Sequence, residues 1–272
     1  MTEEVAQNNK TFQVALIQYD VQIGEPDVNA DRVLEWMEQA VQHDPKPDVI
    51  LLPEMWNTGY ALTELQDLAD ENGIRTKNMM SAFCRKHQVN VIAGSVSEWQ
   101  DGKAYNTMYV FDRDGREVSS YSKIHLFRLM DEEKYLAEGQ RVGSFDVEGI
   151  SAGMMICYDI RFPELSRKLA LGGAQILFVP AEWPNPRLAH WRTLLLARAI
   201  ENQMYVVACN RTGQSGETSF FGHSMVIDPW GDIVAEGDER EQIIHATIDL
   251  SNVDKVRKTI PIFEDRRPKL YE

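Results

Sequence analysis

The chain is short of cysteine, of positive charge and of long apolar runs, and each shortage narrows what it can be. Its 272 residues include only three cysteines, Cys84, Cys157 and Cys209. An odd number at wide spacing makes a poor disulfide framework and offers no metal-binding pair. Basic residues number 28 against 42 acidic ones, a formal charge of −14. Such a field repels a phosphate backbone, so no nucleic acid partner is expected. The acid is spread along the chain rather than gathered in a tail, as on a solvated surface. A small anionic substrate remains compatible, because a single Arg or Lys can dominate one pocket. No apolar run approaches the ~18–20 residues that cross a bilayer, and no membrane association is expected. The opening MTEEVAQNNK is acidic and polar, without the apolar stretch of a secretory leader. Together these features predict a reduced, cytoplasmic protein.

What is present is an ordinary globular composition, 43% hydrophobic with 9% aromatics, long enough to bury a sizeable core. Short apolar runs alternate with amphipathic stretches. The pattern predicts strands over 12–19, 49–53, 89–96, 107–112, 152–157, 176–180, 205–210, 224–228 and 243–249. Helices are predicted over 28–41, 63–87, 164–171, 186–202 and 251–258, the second with a possible break at Gly73. Asp114-Gly115 and Trp230-Gly231 separate apolar runs in the manner of hairpin turns. No low-complexity linker divides the chain, so one domain over 1–272 is expected, with 259–272 as a C-terminal tail.

One internal echo organises the reading. VILLPEMW, residues 49–56, is matched by ILFVPAEW, residues 176–183. Each is a buried-type strand closing on proline, glutamate and tryptophan, and each is followed by a helix and another apolar strand. Two such α/β halves stack sheet on sheet with helices outside, which predicts one α/β domain with a four-layer α-β-β-α sandwich. Strands that are apolar throughout suit sheets covered on both faces.

Three residues stand where chemistry is expected. Cys157 ends the apolar run GMMI and opens the polar turn CYDIRFPEL. A thiol between the carboxyl end of a strand and a helix occupies the usual ligand position of α/β folds. Backbone N–H groups and nearby cations can activate it. The alternative is a core cysteine, the reading retained for Cys84 and Cys209. Glu54 follows the strand VILLP directly; a carboxylate there must be paired, hydrogen-bonded or protonated, conditions that also suit a general base. The alternative is a surface glutamate. Lys123, in YSKIHLF, has apolar and aromatic neighbours and no charge run, so it can steady a thiolate or an oxyanion. The alternative is a lysine snorkelling from a hairpin edge. His125 nearby would permit a Cys–His pair, but the local signature of thiol proteases is missing.

The segments LLPEMWNTGY, YSKIHLF and GMMICYDIRFPEL closely resemble, in order, the three signature blocks of the nitrilase superfamily of carbon–nitrogen hydrolases. The resemblance continues through PAEWPNPRLAHWRTLLLARAIENQ and GHSMVIDPWGDIVAEG and so spans nearly the whole chain. It implies the α-β-β-α sandwich, a Glu54–Lys123–Cys157 triad, a thioester intermediate and no metal or organic cofactor. It also implies a second active-site glutamate in RLMDEEKYLAEG, where Glu132 has the better spacing to Gly139 and Glu133 is one step away. The backbone N–H of Tyr158 would complete an oxyanion hole with Lys123. Within the superfamily, CYDIRFPEL and RKTIPIFEDRRPKLY most resemble the omega-amidase branch, which hydrolyses the side-chain amide of 2-oxoglutaramate and 2-oxosuccinamate. Such substrates carry a carboxylate, for which Arg161 and Arg187 are the candidate cations, with Trp183, Phe127 and Tyr60 as candidate walls. For Arg161 the structural alternative is an ion pair with Asp159 or Glu164. Other readings are an amidase for N-carbamoyl compounds or deaminated glutathione, and a non-catalytic scaffold retaining the fold. The family also implies a homodimer, for which 194–200 and 260–271 are the candidate apolar surfaces.

Overall fold

The computed structural model describes residues 11–271, so the polar opening segment 1–10 and the last residue of the tail lie outside the described residues. Its strands pair into two main sheets. The larger runs in the order Gln242–Asp249, Thr11–Gln18, Val49–Leu51, Asn90–Ile92, Lys103–Phe111, Val96–Gln100, Asp70–Glu71, and Glu117–Ser122 pairs with Lys103–Phe111 beside this path. The smaller runs Ile233–Glu236, Met225–Ile227, Tyr205–Asn210, Ile176–Ala181, Ile150–Met154, Gly143–Val147.

The internal echo is structural. Thr11–Gln18, Val49–Leu51 and Asn90–Ile92 are parallel, and an antiparallel strand flanks them on each side. Ile150–Met154, Ile176–Ala181 and Tyr205–Asn210 repeat the arrangement in the second sheet. Alternation of side chains then dictates the layers. Val14, Leu16, Val49 and Leu51 point to one side and pack with Phe178 and Val207 of the other sheet. Their neighbours Ala15, Ile17, Ile50 and Leu52 point the opposite way, onto Val33 and Met37 of helix Pro26–Ala40 and Met80 and Phe83 of helix Ile74–His87. Helices Pro163–Leu171 and Leu188–Asn202 cover the second sheet, with Leu165, Leu169, Trp191 and Leu195 buried against it. The result is the four-layer α-β-β-α sandwich.

Several boundaries differ from the sequence expectation. The helix predicted over 63–87 divides into a turn at Leu62–Glu64, a short helix Leu65–Leu68, the strand Asp70–Glu71 and the helix Ile74–His87. Gly73 caps the last of these at φ +66, and a Cβ there would lie 2.3 Å from the Tyr109 hydroxyl. A side chain is thus excluded twice, by conformation and by space. The strand predicted over 89–96 is two, Asn90–Ile92 and Val96–Gln100, which pair with different stretches of Lys103–Phe111. The strand leading to Cys157 stops at Met154. Helix Leu188–Asn202 begins two residues later than predicted. Both predicted hairpin turns form: Asp112 N–H donates to Arg116 O around Gly115, and Asp228 N–H to Asp232 O around Gly231.

Gly139 seals the strand end that precedes Lys123. Its N–H donates to Lys123 O at 2.8 Å, and a Cβ would lie 1.9 Å from Ser122 O. Backbone cannot retreat as a flexible side chain would. Gly139→Ala is expected to lower stability by about 1–3 kcal/mol, the cost of forced overpacking. Urea denaturation measures it, and an unchanged midpoint would show that this contact yields freely.

Candidate active site

Four loops leave the sheets and converge. Glu54 follows the strand Val49–Leu51, Lys123 follows Glu117–Ser122, Cys157 follows Ile150–Met154, and Glu132 opens the short helix Glu132–Tyr135. All four side chains are buried. Lys123 Nζ donates to Glu54 Oε1 at 2.8 Å and to Glu132 Oε1 at 2.7 Å. The remaining acceptor sites are also used. Asn106 Nδ2 donates to Glu54 Oε1 at 2.8 Å, the Glu182 N–H donates to Glu54 Oε2 at 2.7 Å, and the Phe127 N–H donates to Glu132 Oε2 at 2.8 Å. Of the two acids left open in the acidic loop, Glu133 is exposed, and Glu132 is the buried one that Lys123 reaches. Asp131 before it adopts φ +58, which turns the chain so that the second acid of DEE faces inward.

Charge balance in this cluster follows from burial. Burial alone would lower the pKa of the Lys123 ammonium, but Glu132 and Glu54 outweigh it and hold the lysine well above its usual range. Burial raises the Glu132 carboxyl, with Lys123 opposing. The Cys157 thiol is pushed well up by burial and by the Glu54 charge, against the pull of Lys123, so its resting form is the neutral thiol. A thiol in this setting needs a base to remove its proton as it reacts.

Cys157 sits at φ +43 and opens the tight turn Cys157–Arg161. Holding a non-glycine residue in the left-handed region requires support from its surroundings. Asp159 provides it. Its Oδ2 accepts from the Ile156 N–H at 2.9 Å and the Tyr121 hydroxyl at 2.7 Å, and its Oδ1 accepts from the His125 N–H at 3.1 Å. His125 Nδ1 lies 2.8 Å from the same oxygen, and the ring stacks on Phe162 at 3.6 Å. The histidine thus ties the lysine loop to the cysteine turn through Asp159, a different use from the Cys–His pair considered from sequence.

Beside Cys157 lies a small, narrow pocket lined by Phe127, Tyr158, Arg161, Glu182, Trp183, Pro184 and Arg187. Arg161 lies 4.7 Å above the Trp183 ring, and Arg187 lies 5.7 Å from the Phe127 ring. Among the described residues neither arginine forms an ion pair with a carboxylate; the expected alternative partner Asp159 is taken by His125 and Tyr121. Burial and the neighbouring Arg187 pull the Arg161 guanidinium below its ordinary range. Two cations without carboxylates at a small pocket suit an anionic ligand. Tyr60, expected as a wall, is placed elsewhere: its hydroxyl lies 2.5 Å from Glu132 Oε1 and 3.1 Å from Glu54 Oε1. Asn106, Asp159 and Glu182 were missed by sequence reasoning; only Glu182 left a trace, as the glutamate of the echo. Among the described residues no group of three His, Cys, Asp or Glu side chains could hold a metal ion.

The cluster generates one stability prediction. Lys123→Met leaves two buried carboxylates without their cation, a loss of about 3–5 kcal/mol. Without the cation both carboxyls resist ionising in the folded state, whereas they ionise freely once unfolded. The deficit therefore grows as pH rises above the ordinary carboxylate range and shrinks in acid. Denaturant titrations at two pH values check it; a deficit independent of pH would refute the charge argument.

A model of the family described as carbon-nitrogen hydrolase matches residues 13–258. The 2-oxoglutaramate amidase of Bacillus subtilis (strain 168) is 46% identical, over 95% of this chain and 98% of its own length. The omega-amidase NIT2 of Mus musculus is 33% identical, over 96% of this chain and 97% of its own. The crystal structure of Saccharomyces cerevisiae Nit3, a member of branch 10 of the nitrilase superfamily, superposes with a TM-score of 0.87 at 29% identity, covering 93% of this chain and 95% of that one. The chain belongs to the carbon–nitrogen hydrolases of the nitrilase superfamily and is a hydrolase of non-peptide carbon–nitrogen bonds.

Proposed function

We propose that the enzyme is an omega-amidase that releases ammonia from 2-oxoglutaramate, with Glu54, Lys123 and Cys157 as its catalytic triad. The observation that carries this reading is the juxtaposition of a buried, ion-paired Glu54–Lys123–Glu132 cluster with a thiol and a pocket bearing Arg161 and Arg187. The amidase names of the relatives support it.

In the proposed reaction Glu54 takes the Cys157 proton as Sγ attacks the side-chain amide carbonyl. The Lys123 ammonium and the Tyr158 N–H hold the developing oxyanion. Protonated Glu54 passes its proton to the amide nitrogen, the C–N bond breaks, ammonia leaves and a thioester remains. Glu54 then draws a proton from water as the oxygen attacks the thioester. Collapse of this second tetrahedral intermediate expels the thiolate, which recovers its proton from Glu54. The acid product is 2-oxoglutarate. Glu132 holds Lys123 in place throughout, and Tyr60 bridges the two carboxylates. Arg161 and Arg187 take the substrate's carboxylate, while Phe127 and Trp183 flank its carbon chain. The scheme draws on side chains and water alone.

The reading extends to the whole chain working as one domain, in the cytoplasm, on a small amide. No helix among the described residues is long and apolar enough to cross a membrane. It also extends to a homodimer packed through helices Pro163–Leu171 and Leu188–Asn202 and the tail, where Leu171, Ile200, Ile260 and Tyr271 are exposed around one groove. Size-exclusion chromatography with light scattering tests the dimer; a monomer at micromolar concentration would refute it.

Two substitutions test the chemistry. Cys157→Ala is expected to abolish ammonia release from 2-oxoglutaramate, and surviving turnover would sink the thioester route. Arg161→Met is expected to reduce kcat/KM for 2-oxoglutaramate about 100-fold, as truncating one partner of a desolvated charge pair does. Hydrolysis of a neutral amide of equal chain length should change far less. Equal losses on both substrates would show that Arg161 serves the fold rather than the carboxylate.

A further inference from the structure

Glu182 has no part in that scheme, yet it is the counterpart of Glu54 in the second half of the chain and is itself buried. It lines the same pocket as Cys157. Its peptide N–H donates to Glu54 Oε2 at 2.7 Å, so the two strand ends meet through this bond. Its Oε2 accepts from Arg211 Nη1 at 3.1 Å, while Oε1 has no hydrogen-bond partner among the described residues. Arg211 is fully buried too, and its Nη2 donates at 2.7 Å to both Asp20 Oδ1 and Val21 O. A buried carboxyl with one moderate contact is under-compensated, unlike a structural ion pair whose lone pairs are all used. An acid–base–acid chain thus runs from the half-exposed Asp20 through Arg211 to Glu182, whose like-charged neighbour is Glu54.

We propose that Glu182, held by Arg211, is a positioning residue for Glu54: its peptide N–H fixes Oε2, and its ionised carboxylate, by repelling the charge on Glu54, drives the Cys157 proton onto that base. The inference rests on the triad reading above. Two carboxylates close together in a dry site disfavour double ionisation. Moving the thiol proton to Glu54 relieves that repulsion and leaves the new charge on sulfur, where Lys123 opposes it. The groups facing Glu182 are Arg211, Asp20, Glu54 and the phenols of Tyr19 and Tyr60. Arg211 stays cationic, and burial keeps both phenols neutral. Burial pushes the Glu182 carboxyl up to about 7, against Arg211 and with the Glu54 charge adding. Its ionised form therefore appears as pH rises through neutrality, and the repulsion that assists proton transfer is switched on over that interval.

The pH dependence of Cys157 alkylation by iodoacetamide, followed by peptide mass spectrometry, tests this without any substrate. In the unaltered enzyme the rate should climb about tenfold across neutrality, in a step separate from ionisation of the thiol itself; kcat/KM for 2-oxoglutaramate should show the same step, with little change in KM. Tenfold corresponds to about 1.4 kcal/mol of repulsion. Glu182→Gln keeps the shape and loses the charge, so the step should vanish. Arg211→Lys keeps the countercharge but loses the guanidinium contact, so the step should move to higher pH. A Glu182→Gln profile that overlays the unaltered one, or falls by the same factor at every pH, overturns the proposal. Should that variant fail to fold by circular dichroism, a step unmoved in Arg211→Lys overturns it instead. Failure of the unaltered enzyme to act on 2-oxoglutaramate would defeat the proposed substrate alone, because the alkylation profile still decides the role of Glu182.

Discussion

Lys123 is a cation with no access to water, and the geometry around the pocket follows from keeping it charged. An isolated ammonium in such a place would shed its proton. Here Glu54 and Glu132 each bring an oxygen to within 2.8 Å or less of Nζ. Two carboxylates around one lysine leave an excess of negative charge, which the Asn106 amide, the Tyr60 hydroxyl and two peptide N–H groups share out. Satisfying one buried cation therefore fixes the relative positions of both sheets' strand ends, the lysine loop and the short helix after it. Cys157 enters an arrangement already set by electrostatics, with its charged neighbours held in place beforehand.

Stacking two similar α/β halves is what makes that convergence possible. In each half three parallel strands end on the same side, and the middle one carries a proline at or near its end with glutamate and tryptophan just beyond it. Face-to-face packing through Leu16, Leu51, Phe178 and Val207 brings these ends together across the core. The contact between them is the bond from the Glu182 N–H to Glu54 Oε2, joining residues 128 positions apart. One half thus supplies the Glu54 carboxylate and the other the peptide N–H that holds it. The halves are not equivalent chemically, because Lys123 neutralises one glutamate and Arg211 the other.

Residues at strand ends were legible in the sequence because each breaks a local pattern. Glu54 and Cys157 follow apolar runs and Lys123 stands among apolar and aromatic neighbours, and a charged or reactive side chain at such a place needs a reason to be there. The two-sheet architecture was legible for a similar reason: runs apolar at every position must be covered on both faces. Asn106 and Asp159 were not legible. A polar residue within a strand or turn has no signature of its own when its partner is distant, and Asn106 finds Glu54 from 52 positions away. Tyr60 reads from sequence as an aromatic wall, and nothing local shows that its hydroxyl reaches both carboxylates. The helix read over 63–87, with a possible break at Gly73, divides there: Gly73 caps Ile74–His87, and the N–H groups of Arg75 and Thr76 donate to the Asp70 carboxylate. Asp70 stands three residues before that cap, so its part in the helix start is hidden by the amphipathic pattern around it.

The chain's charge of −14 and a carboxylate-bearing substrate look incompatible until the distances are compared. At physiological ionic strength, exposed charges are screened over about 8 Å, so most of the acidic surface is weakly felt inside the pocket. Within it the nearest unpaired charges are Arg161 and Arg187, seated against Trp183 and Phe127, where water competes poorly for their guanidinium groups. An arginine stacked on an aromatic ring has lost part of its hydration before the ligand arrives, so less desolvation remains to be overcome on binding. The long-range field slows the approach of an anion but does not set its affinity once inside. Net charge thus weighs against polyanions, which must touch the surface over a wide area, and is nearly silent about a small anion that meets only its immediate surroundings.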